Sequence, residues 1–234
     1  MANAATIAAV GLTRGMPDRA IVVALATALQ ESELVNLAGG DRDSVGLFQQ
    51  RPSQGWGSAE QIRDPHYAAS AFYNQLTRVR GWQDMRITDA AQAVQRSAYP
   101  EAYDEWVLDA QVLGEALSGR PPARSPVARS ASPHCRGAAA TQALGAGLRA
   151  DRGRPSVTVS NGGVVVAADE NRSGWQFAHW LVAHSTDHNV ARVRFDDQQW
   201  TADSGKWSHV DAAPSTPARS SLRFTPLDHQ LCAL

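Results

Sequence analysis

The amino-acid sequence predicts a mainly helical N-terminal domain joined to a small domain of mixed α and β structure. Apolar side chains recur at helical spacing through the first 119 residues, with helix-start signals at several points. The stretch SGRPPARSPVARSASPH, residues 118–134, is rich in proline and serine and lacks apolar periodicity, as is typical of a linker. Residues 155–169, PSVTVSNGGVVVAAD, alternate around an Asn-Gly pair, which predicts a β-hairpin.

These observations divide the chain into three parts. A helical domain covers 1–119, a linker covers 120–133, and a small α+β module covers 134–234. A chain of 234 residues is long enough for two such domains.

Five helices are predicted in the first domain from apolar periodicity and from the residues at their ends. Asn3 can cap the first helix, and Gly15 suits its left-handed end. Pro17 fits the first turn of the second helix, and Asp64 caps the third, with proline at its first position. The predicted helices cover about 3–15, 17–35, 64–79, 87–98 and 99–117.

The C-terminal module is predicted to mix strands with one helix. After the hairpin, residues 173–189 have the pattern of a helix. Residues 190–203 read as a strand, a turn and a second strand, and 220–226 as a last strand.

Charge and hydropathy exclude several classes of function. The net charge of −1 gives no electrostatic reason to expect a nucleic-acid partner or an anionic membrane surface. No apolar run approaches the roughly 18 residues of a membrane span. The first 20 residues lack the basic and apolar regions of a signal peptide, so export would need a leader absent from this chain.

Two cysteines are present, Cys135 and Cys232, and we expect them to form a disulfide. Such a bridge would close a loop of about 100 residues, which is worth up to about 4 to 5 kcal/mol in the chain-entropy model. It would also indicate an extracytoplasmic protein. The alternative is two unrelated buried thiols.

One carboxylate, Glu31, lies at the edge of the apolar second helix. At about 100° per residue it falls about 20° from Ala24 and about 40° from Val35, on the border of the apolar face. Partial burial raises the pKa of a carboxyl group, because the charged form loses water. A carboxylic acid that keeps its proton near neutral pH suits general acid catalysis.

A glycine-rich polar turn, AGGDRDSVGLFQQ, follows at residues 38–50. Its glycines allow the backbone to approach a ligand, and Asp41, Gln49 and Gln50 offer hydrogen-bonding groups. Trp56 adds a flat apolar surface. Sugars present both hydroxyl edges and apolar C–H faces, so this mixture favours a carbohydrate site.

The stretch ALATALQES…GLFQQRP resembles the soluble lytic transglycosylase domain of the lysozyme-like superfamily. Glu31-Ser32 and Gly46-Leu47-Phe48-Gln49 stand where that family has Glu-Ser and Gly-Leu-Met-Gln, with Phe48 in place of methionine. Residues 40–42, Gly-Asp-Arg, are similar to goose-type lysozymes. The resemblance covers about 3–117.

The resemblance implies cleavage of the β-1,4 bond between MurNAc and GlcNAc in peptidoglycan, with Glu31 as the single acid and base. It implies no cofactor and no metal, glycan strands of peptidoglycan as the partner, and an extracytoplasmic location. Gln95 stands near the place of the family's asparagine, and Tyr99 or Tyr103 could replace its tyrosine. The expected substrate-binding residues are Ser32, Asp41, Gln49, Gln50, Trp56, Gln95, Tyr99 and Tyr103.

Two alternatives remain open for this domain. A lysozyme-type hydrolase would use water and a second carboxylate, for which Asp41 and Asp43 are the candidates. Either aspartate could instead cap the glycine turn. The other alternative is a non-catalytic cell-wall binding or scaffold protein with a decayed lysozyme-like site.

Residues 157–225 of the C-terminal module resemble, with low specificity, zinc-dependent DD-peptidases. The histidine motifs of that family are missing, so we expect an inactive module that binds a protein or the cell wall, or that has a structural role. His184 and His188 are four residues apart on one predicted helix face, a spacing seen in metal sites, but an interaction with the dipole at the C-terminal end of the helix is the simpler interpretation. We expect most of Trp175, Trp180, Trp200 and Trp207 to be core residues.

Overall fold

In a computed structural model, the protein is described for residues 1–97, 99–122, 138–152, 155–160, 163–188, 190–210 and 220–226. The chain forms two compact units, one made mainly by Asn3–Glu115 and the other mainly by Ala116–Leu234. Within the described ranges, no helix has the length and apolar character that crossing a membrane requires.

The first unit is helical. Its two short 3₁₀ segments are Pro52–Gln54 and Pro100–Trp106. Its α-helices are α1 (Ala2–Thr13), α2 (Asp18–Ser32), α3 (Ala59–Ile62), α4 (Pro65–Leu76), α5 (Ile87–Gln95) and α6 (Val107–Leu117), the last of which runs beyond the unit's border.

Helix α2 forms the centre of the first unit. Its residues from Ala20 to Leu29 are all buried, and it packs against α4, α5 and the 3₁₀ segment Pro100–Trp106. A glycine also lets α6 approach α2 closely. A Cβ atom added at Gly114 of α6 would come within 2.8 Å of Cγ2 of Val22. A fully packed α2 is a rigid support for the residues at its C-terminal end.

The predicted C-terminal end of this helix is wrong. Helix α2 ends at Ser32, because Glu33 (φ 50°) and Leu34 (φ 62°) both adopt the left-handed conformation. Val35 is therefore outside the helix and is 54% exposed, so it does not share the apolar face. Glu31 therefore lies in the last turn of α2, and the helix does not continue to residue 35 as predicted.

Other helix predictions had mixed outcomes. Helix α4 begins as expected, with Asp64 accepting a hydrogen bond from the backbone N–H of His66. Asn3 is not a cap, since it lies inside α1 and its Nδ2 donates to the carbonyl oxygen of Leu34 at 2.9 Å. The segment predicted as one helix over 99–117 is divided into a 3₁₀ segment and α6.

The second unit combines helices with one antiparallel sheet. The helices are α7 (Ala138–Arg152), α8 (Asn171–Ala183) and α9 (Ser185–His188). The strands are β1 (Val157–Ser160), β2 (Gly163–Ala168), β3 (Val190–Phe195), β4 (Gln198–Thr201), β5 (Trp207–His209) and β6 (Ser220–Pro226). Their order in the sheet is β1-β2-β6-β3-β4-β5, so β6 lies between strands that precede it in the sequence.

The predicted mainly α first part and α+β second part are confirmed at this level. The hairpin is present, with Val157 opposite Val166 and Thr158 opposite Val165. The helix predicted over 173–189 corresponds to α8 followed by α9. Helix α7 and the short strand β5 were not predicted, nor were α3 and the segment Pro52–Gln54.

Tryptophan side chains build much of the core between α8 and the sheet. Trp175, Trp180 and Trp200 are buried, as expected. Trp207 is half-buried and packs edge-on against Trp175, with ring centroids 5.2 Å apart.

The disulfide prediction cannot be placed in this description. Cys135 and Cys232 both lie outside the described residues, as does the linker after residue 122. The pairing and the linker stay predictions.

Candidate functional site

The side chain of Glu31 is partly buried on the last turn of α2. The hydroxyl group of Tyr103 donates a hydrogen bond to its Oε1 at 2.7 Å. Burial raises the pKa of Glu31, while hydrogen bonds from Tyr103 and, to a smaller extent, Gln95 partly oppose the rise. No described residue forms an ion pair with Glu31, so its charge is governed by burial and by neutral hydrogen-bond donors.

Tyr103 is fully buried and belongs to the 3₁₀ segment Pro100–Trp106. The next residue, Asp104, accepts a hydrogen bond from Thr88 of α5. At the end of the segment, Nε1 of Trp106 donates to Oε1 of Gln30 at 2.8 Å. These contacts fix the segment to α5 and α2 and so hold the tyrosine hydroxyl against Glu31.

An exposed ion cluster supports the same segment. Arg86 contacts Asp89 at 2.7 Å, Glu101 at 3.3 Å and Asp104 at 3.4 Å. Each exposed pair contributes little alone, but one guanidinium joins the start of α5 to both ends of the turn that carries Tyr103.

Ser32 connects the end of α2 to the turn that follows. Its hydroxyl group lies 2.7 Å from the carbonyl oxygen of Leu47 and 3.1 Å from that of Ala28, its helical i−4 partner. Both Ser32 and Leu47 are buried, so this hydrogen bond is made without competing water. Within the Glu31-Ser32 pair, the serine fixes the backbone of the turn, and the glutamate carries the carboxyl group that Tyr103 contacts.

Phe48 and Gln95 anchor the other side of the turn. The ring of Phe48 is buried and stacked on Phe72, with centroids 4.8 Å apart. Its carbonyl oxygen accepts a 2.7 Å hydrogen bond from Nε2 of Gln95, the last residue of α5. Phe48 thus fills the core, and its carbonyl oxygen orients the amide of Gln95.

The two glutamines of the turn make internal contacts. Oε1 of Gln49 accepts from Oγ of Ser44 at 2.9 Å, and its Nε2 donates to the carbonyl oxygen of Gly46 at 3.1 Å. Gln50 is only 2% exposed and donates to the carbonyl oxygen of Ala68 at 3.2 Å. The expected sugar contact from Gln50 is wrong, because its side chain is buried under the turn.

The carboxylate of Asp43 forms its hydrogen bonds within the loop. It accepts from the backbone N–H of Ser53 and from Nε of Arg51, both at 2.8 Å, and from Oγ of Ser53 at 3.0 Å. These bonds hold the pKa of Asp43 well below its usual range. Asp43 is therefore a charged loop anchor, the capping role left open above.

Asp41 differs from Asp43 in its surroundings. Its side chain is 90% exposed, and Arg42, at 3.9 Å, is its ion-pair partner. Its backbone oxygen accepts a hydrogen bond from the N–H of Ser44 at 3.1 Å.

A groove of about 590 Å³ lies on the first unit. This volume is within the range of small-molecule sites. Its larger lining side chains are Gln54, Trp56, Gln75, Arg78, Gln95 and Arg96, and the other lining positions are glycine, alanine and valine. Gln95 both lines the groove and interacts with the Glu31 carboxyl group, so it connects the two.

The structure therefore groups the predicted site residues unequally. Ser32, Gln95 and Tyr103 contact Glu31 or its supporting backbone, and Trp56 lies on the groove. Tyr99 is 76% exposed, and the hydroxyl that reaches Glu31 is that of Tyr103. The groove arginines at positions 78 and 96 were missed, since their sequence context carries no signal.

Left-handed residues surround the site. Glu33 and Leu34 follow Glu31 and Ser32, Gln49 has φ 45°, and Arg96, with φ 55°, ends α5 directly after Gln95. Such conformations are costly for residues other than glycine and cluster at functional sites. The chain changes direction at Glu33 and Leu34, at Gln49 and at Arg96, all of which are close in sequence to residues of the candidate site.

His184 and His188 pack against neighbouring rings of the second unit. Nδ1 of His184 is 2.9 Å from the carbonyl oxygen of Trp180, and the two rings stack at 3.8 Å. The ring of His188 lies 6.1 Å from that of His184. In the part of the chain that is described, no three metal-binding side chains come together.

Comparison with known proteins assigns no family. No protein-family model matches the sequence, and no curated protein matches it significantly.

Proposed function

We propose that the first unit is an extracytoplasmic lytic transglycosylase that cleaves the β-1,4 bond between MurNAc and GlcNAc in peptidoglycan. The observation that carries this proposal is the position of Glu31. Its carboxyl group is partly buried and has a raised pKa, which a hydrogen bond from Gln95 partly opposes, and Gln95 also lines a groove of about 590 Å³. A groove with a tryptophan face and amide side chains fits sugar rings and their hydroxyl groups.

In the proposed reaction, protonated Glu31 gives its proton to the glycosidic oxygen. The bond from C1 of MurNAc to that oxygen breaks, and the bond's electron pair leaves with the 4-hydroxyl group of GlcNAc. The N-acetyl oxygen of the substrate stabilises the cation that develops at C1. The C6 hydroxyl group then attacks C1 and returns its proton to Glu31, which closes the 1,6-anhydro ring and restores the acid.

The hydrogen bond from Tyr103 has a role in both halves of this cycle. It stabilises the carboxylate that forms after proton transfer, while burial keeps the carboxyl group protonated before it. Opposed effects of this kind bring the pKa of an acid and base towards the working pH.

The state of Asp43 favours a mechanism with one carboxyl group. Both of its oxygens accept hydrogen bonds inside the loop, so they are not free to activate water. An attacking hydroxyl group that is already part of the substrate removes that need and makes the attack intramolecular. The lytic route is therefore better supported than the hydrolytic one.

Digestion of purified sacculi tests this proposal. Wild-type protein should release fragments that end in 1,6-anhydro-MurNAc, and Glu31→Gln should release none. Glu33→Gln, which removes an exposed carboxylate two residues away, should behave as wild type. Reducing ends would indicate a hydrolase, and the absence of soluble fragments with folded wild-type protein would contradict an enzymatic role.

For the second unit, we propose a non-catalytic role in binding the cell wall or a protein partner. Its histidines at positions 179 and 184 are buried and bonded to backbone carbonyl groups, which leaves them unsuited to catalysis.

A further inference from the structure

The groove that Gln95 lines carries two guanidinium groups, and none of its described lining residues is acidic. Arg78, close after α4, and Arg96, directly after α5, both line it and are both exposed. Neither forms an ion pair with an acidic side chain in the described part of the chain, and Arg78 contacts only the amide oxygen of Gln75, at 3.5 Å. The groove is thus electropositive on a protein whose net charge is −1.

Two other arginines of the same unit form close ion pairs with acids. Arg51 binds Asp43 at 2.8 Å, and Arg86 binds a group of three acids, the nearest being Asp89 at 2.7 Å. No acid among the described residues neutralises Arg78 or Arg96, so an anion that enters the groove meets two positive charges.

Guanidinium groups bind carboxylates with paired N–H donors in a fixed planar geometry. Trp56 of the same groove offers an apolar face for a sugar ring, and Gln54 and Gln75 offer amides for its hydroxyl groups. A ligand that matches all three features is an amino-sugar strand that bears a carboxylate on a side substituent.

We propose that Arg78 and Arg96 bind the carboxylate carried by the lactyl substituent of MurNAc or by its attached peptide, and so make the site selective for carboxylated glycan strands over neutral ones. This inference rests on the proposed function, because it assigns a substrate feature to the same groove. The carboxylate has two sources in peptidoglycan. It belongs either to the peptide attached to the muramoyl lactyl group or, where the peptide has been removed, to the lactyl group itself.

Binding of soluble oligosaccharides tests the inference without requiring turnover. Three ligands of equal sugar length are titrated into the Glu31→Gln protein by calorimetry: a muramoyl glycan with its peptides, the same glycan after amidase treatment, and a neutral GlcNAc oligomer. The proteins compared carry Arg78→Gln, Arg96→Gln, both changes, or Arg80→Gln. Arg80 is an exposed arginine that does not line the groove, so it is the matched control.

The double variant should bind carboxylated glycan at least about tenfold more weakly, the order expected for losing charge-assisted hydrogen bonds. Its affinity for the neutral oligomer and the affinities of the Arg80→Gln protein should not change. Added salt should weaken binding of the carboxylated ligands only. A loss confined to the peptide-bearing glycan assigns the peptide carboxylate, and an equal loss for both carboxylated ligands assigns the lactyl carboxylate.

The inference is wrong if the parent protein binds neutral and carboxylated ligands equally, or if the double variant keeps the preference. Thermal unfolding of each variant verifies that the exposed substitutions leave the fold intact. Sacculus digestion by the wild-type protein is scored separately. Selective binding without cleavage would contradict the proposed reaction alone, and cleavage without selectivity would contradict this inference alone.

Discussion

The hydroxyl group of Tyr103 donates a 2.7 Å hydrogen bond to Oε1 of Glu31 across a separation of 72 residues in the sequence. The bond favours the charged form of a carboxyl group that burial makes harder to ionise. The protonation state of the proposed acid is therefore set jointly by the apolar end of α2 and by one phenol from the 3₁₀ segment Pro100–Trp106.

Replacing Tyr103 by phenylalanine should raise the pKa of Glu31 further, because the carboxylate loses a donor. The expected shift is about one pH unit, since a hydrogen bond to a charged group contributes about 1.5 to 3 kcal/mol before solvent screening and 1.36 kcal/mol corresponds to one unit. Carboxyl ¹³C chemical shifts measure it directly, and the alkaline limb of the pH–rate profile should move with it. Tyr73→Phe removes another buried hydroxyl group, bonded to Ile7, and should leave that pKa unchanged.

Glu31→Gln should stabilise the first unit at alkaline pH while it abolishes activity. The folded pKa of Glu31 lies above its ordinary value, so wild-type stability falls as the pH rises through the folded pKa. Glutamine cannot ionise and escapes this loss. Melting temperatures at pH 8 and pH 4 should show a gain for the variant that shrinks at pH 4. A variant less stable than wild type at pH 8 would contradict the raised pKa.

Ser32→Ala should lower the free energy of unfolding by about 1 to 3 kcal/mol, because it leaves the buried carbonyl oxygen of Leu47 without its hydroxyl donor. Urea titration measures the loss. Thr77→Ala removes an exposed hydroxyl group bonded only to Asn74, so its effect should be within about 0.5 kcal/mol. Similar losses for the two variants would show that Ser32 does not fix the turn.

Asp43→Asn should destabilise the first unit at neutral pH without removing activity from the molecules that stay folded. Serine and arginine donors keep the pKa of Asp43 low, so its stabilising effect should persist above its ordinary pKa and disappear only in strong acid. Thermal unfolding across acid and neutral pH follows this dependence. Asp41→Asn, at an exposed position, should unfold as wild type. Complete inactivity of folded Asp43→Asn protein would instead favour the hydrolytic route.

The second unit should lose stability in mild acid because of His179. Burial lowers the pKa of His179 to about 4 in the folded protein, whereas its pKa in the unfolded chain is about 6.5. Between these two pH values the unfolded chain therefore binds more protons than the folded protein. Stability should therefore be full above pH 6.5 and fall by about 2 kcal/mol between pH 8 and pH 5. Hydrogen exchange of α8 and β3 amides measures it. His179→Asn should reduce the dependence without removing it, because burial also lowers the pKa values of His184 and His188, whereas His209→Asn, at an exposed site, should not change it.

The position of Glu31 on the edge of a buried helix could be predicted because helical periodicity is a local property. The serine and glycine-turn motifs located the neighbouring backbone for the same reason. The sequence did not predict which residue forms a hydrogen bond with each side chain of the site. Tyr103 reaches Glu31 only because Pro100–Trp106 folds as a 3₁₀ segment against α2 and α5, and nothing near either residue specifies that pairing.

Gln50 shows a different limit. A polar residue type in a glycine-rich turn suggests ligand binding, but the carbonyl oxygen of Ala68 needs a donor after burial, and Gln50 supplies it. Similarly, α7 was missed because its residues, AAATQALGAGLRADR, are mostly small or polar with few large apolar side chains, and it packs against β1 and α9.

The placement of β6 has a consequence for biosynthesis. It pairs with β2 on one side and β3 on the other, yet β1 to β5 all leave the ribosome before it. The helical unit is complete in sequence long before that moment and can acquire its shape during translation. The sheet cannot be completed until β6 is synthesised, because β6 lies between β2 and β3. A nascent chain stalled before residue 220 would therefore expose the unpaired edges of β2 and β3 to chaperones and to other nascent chains.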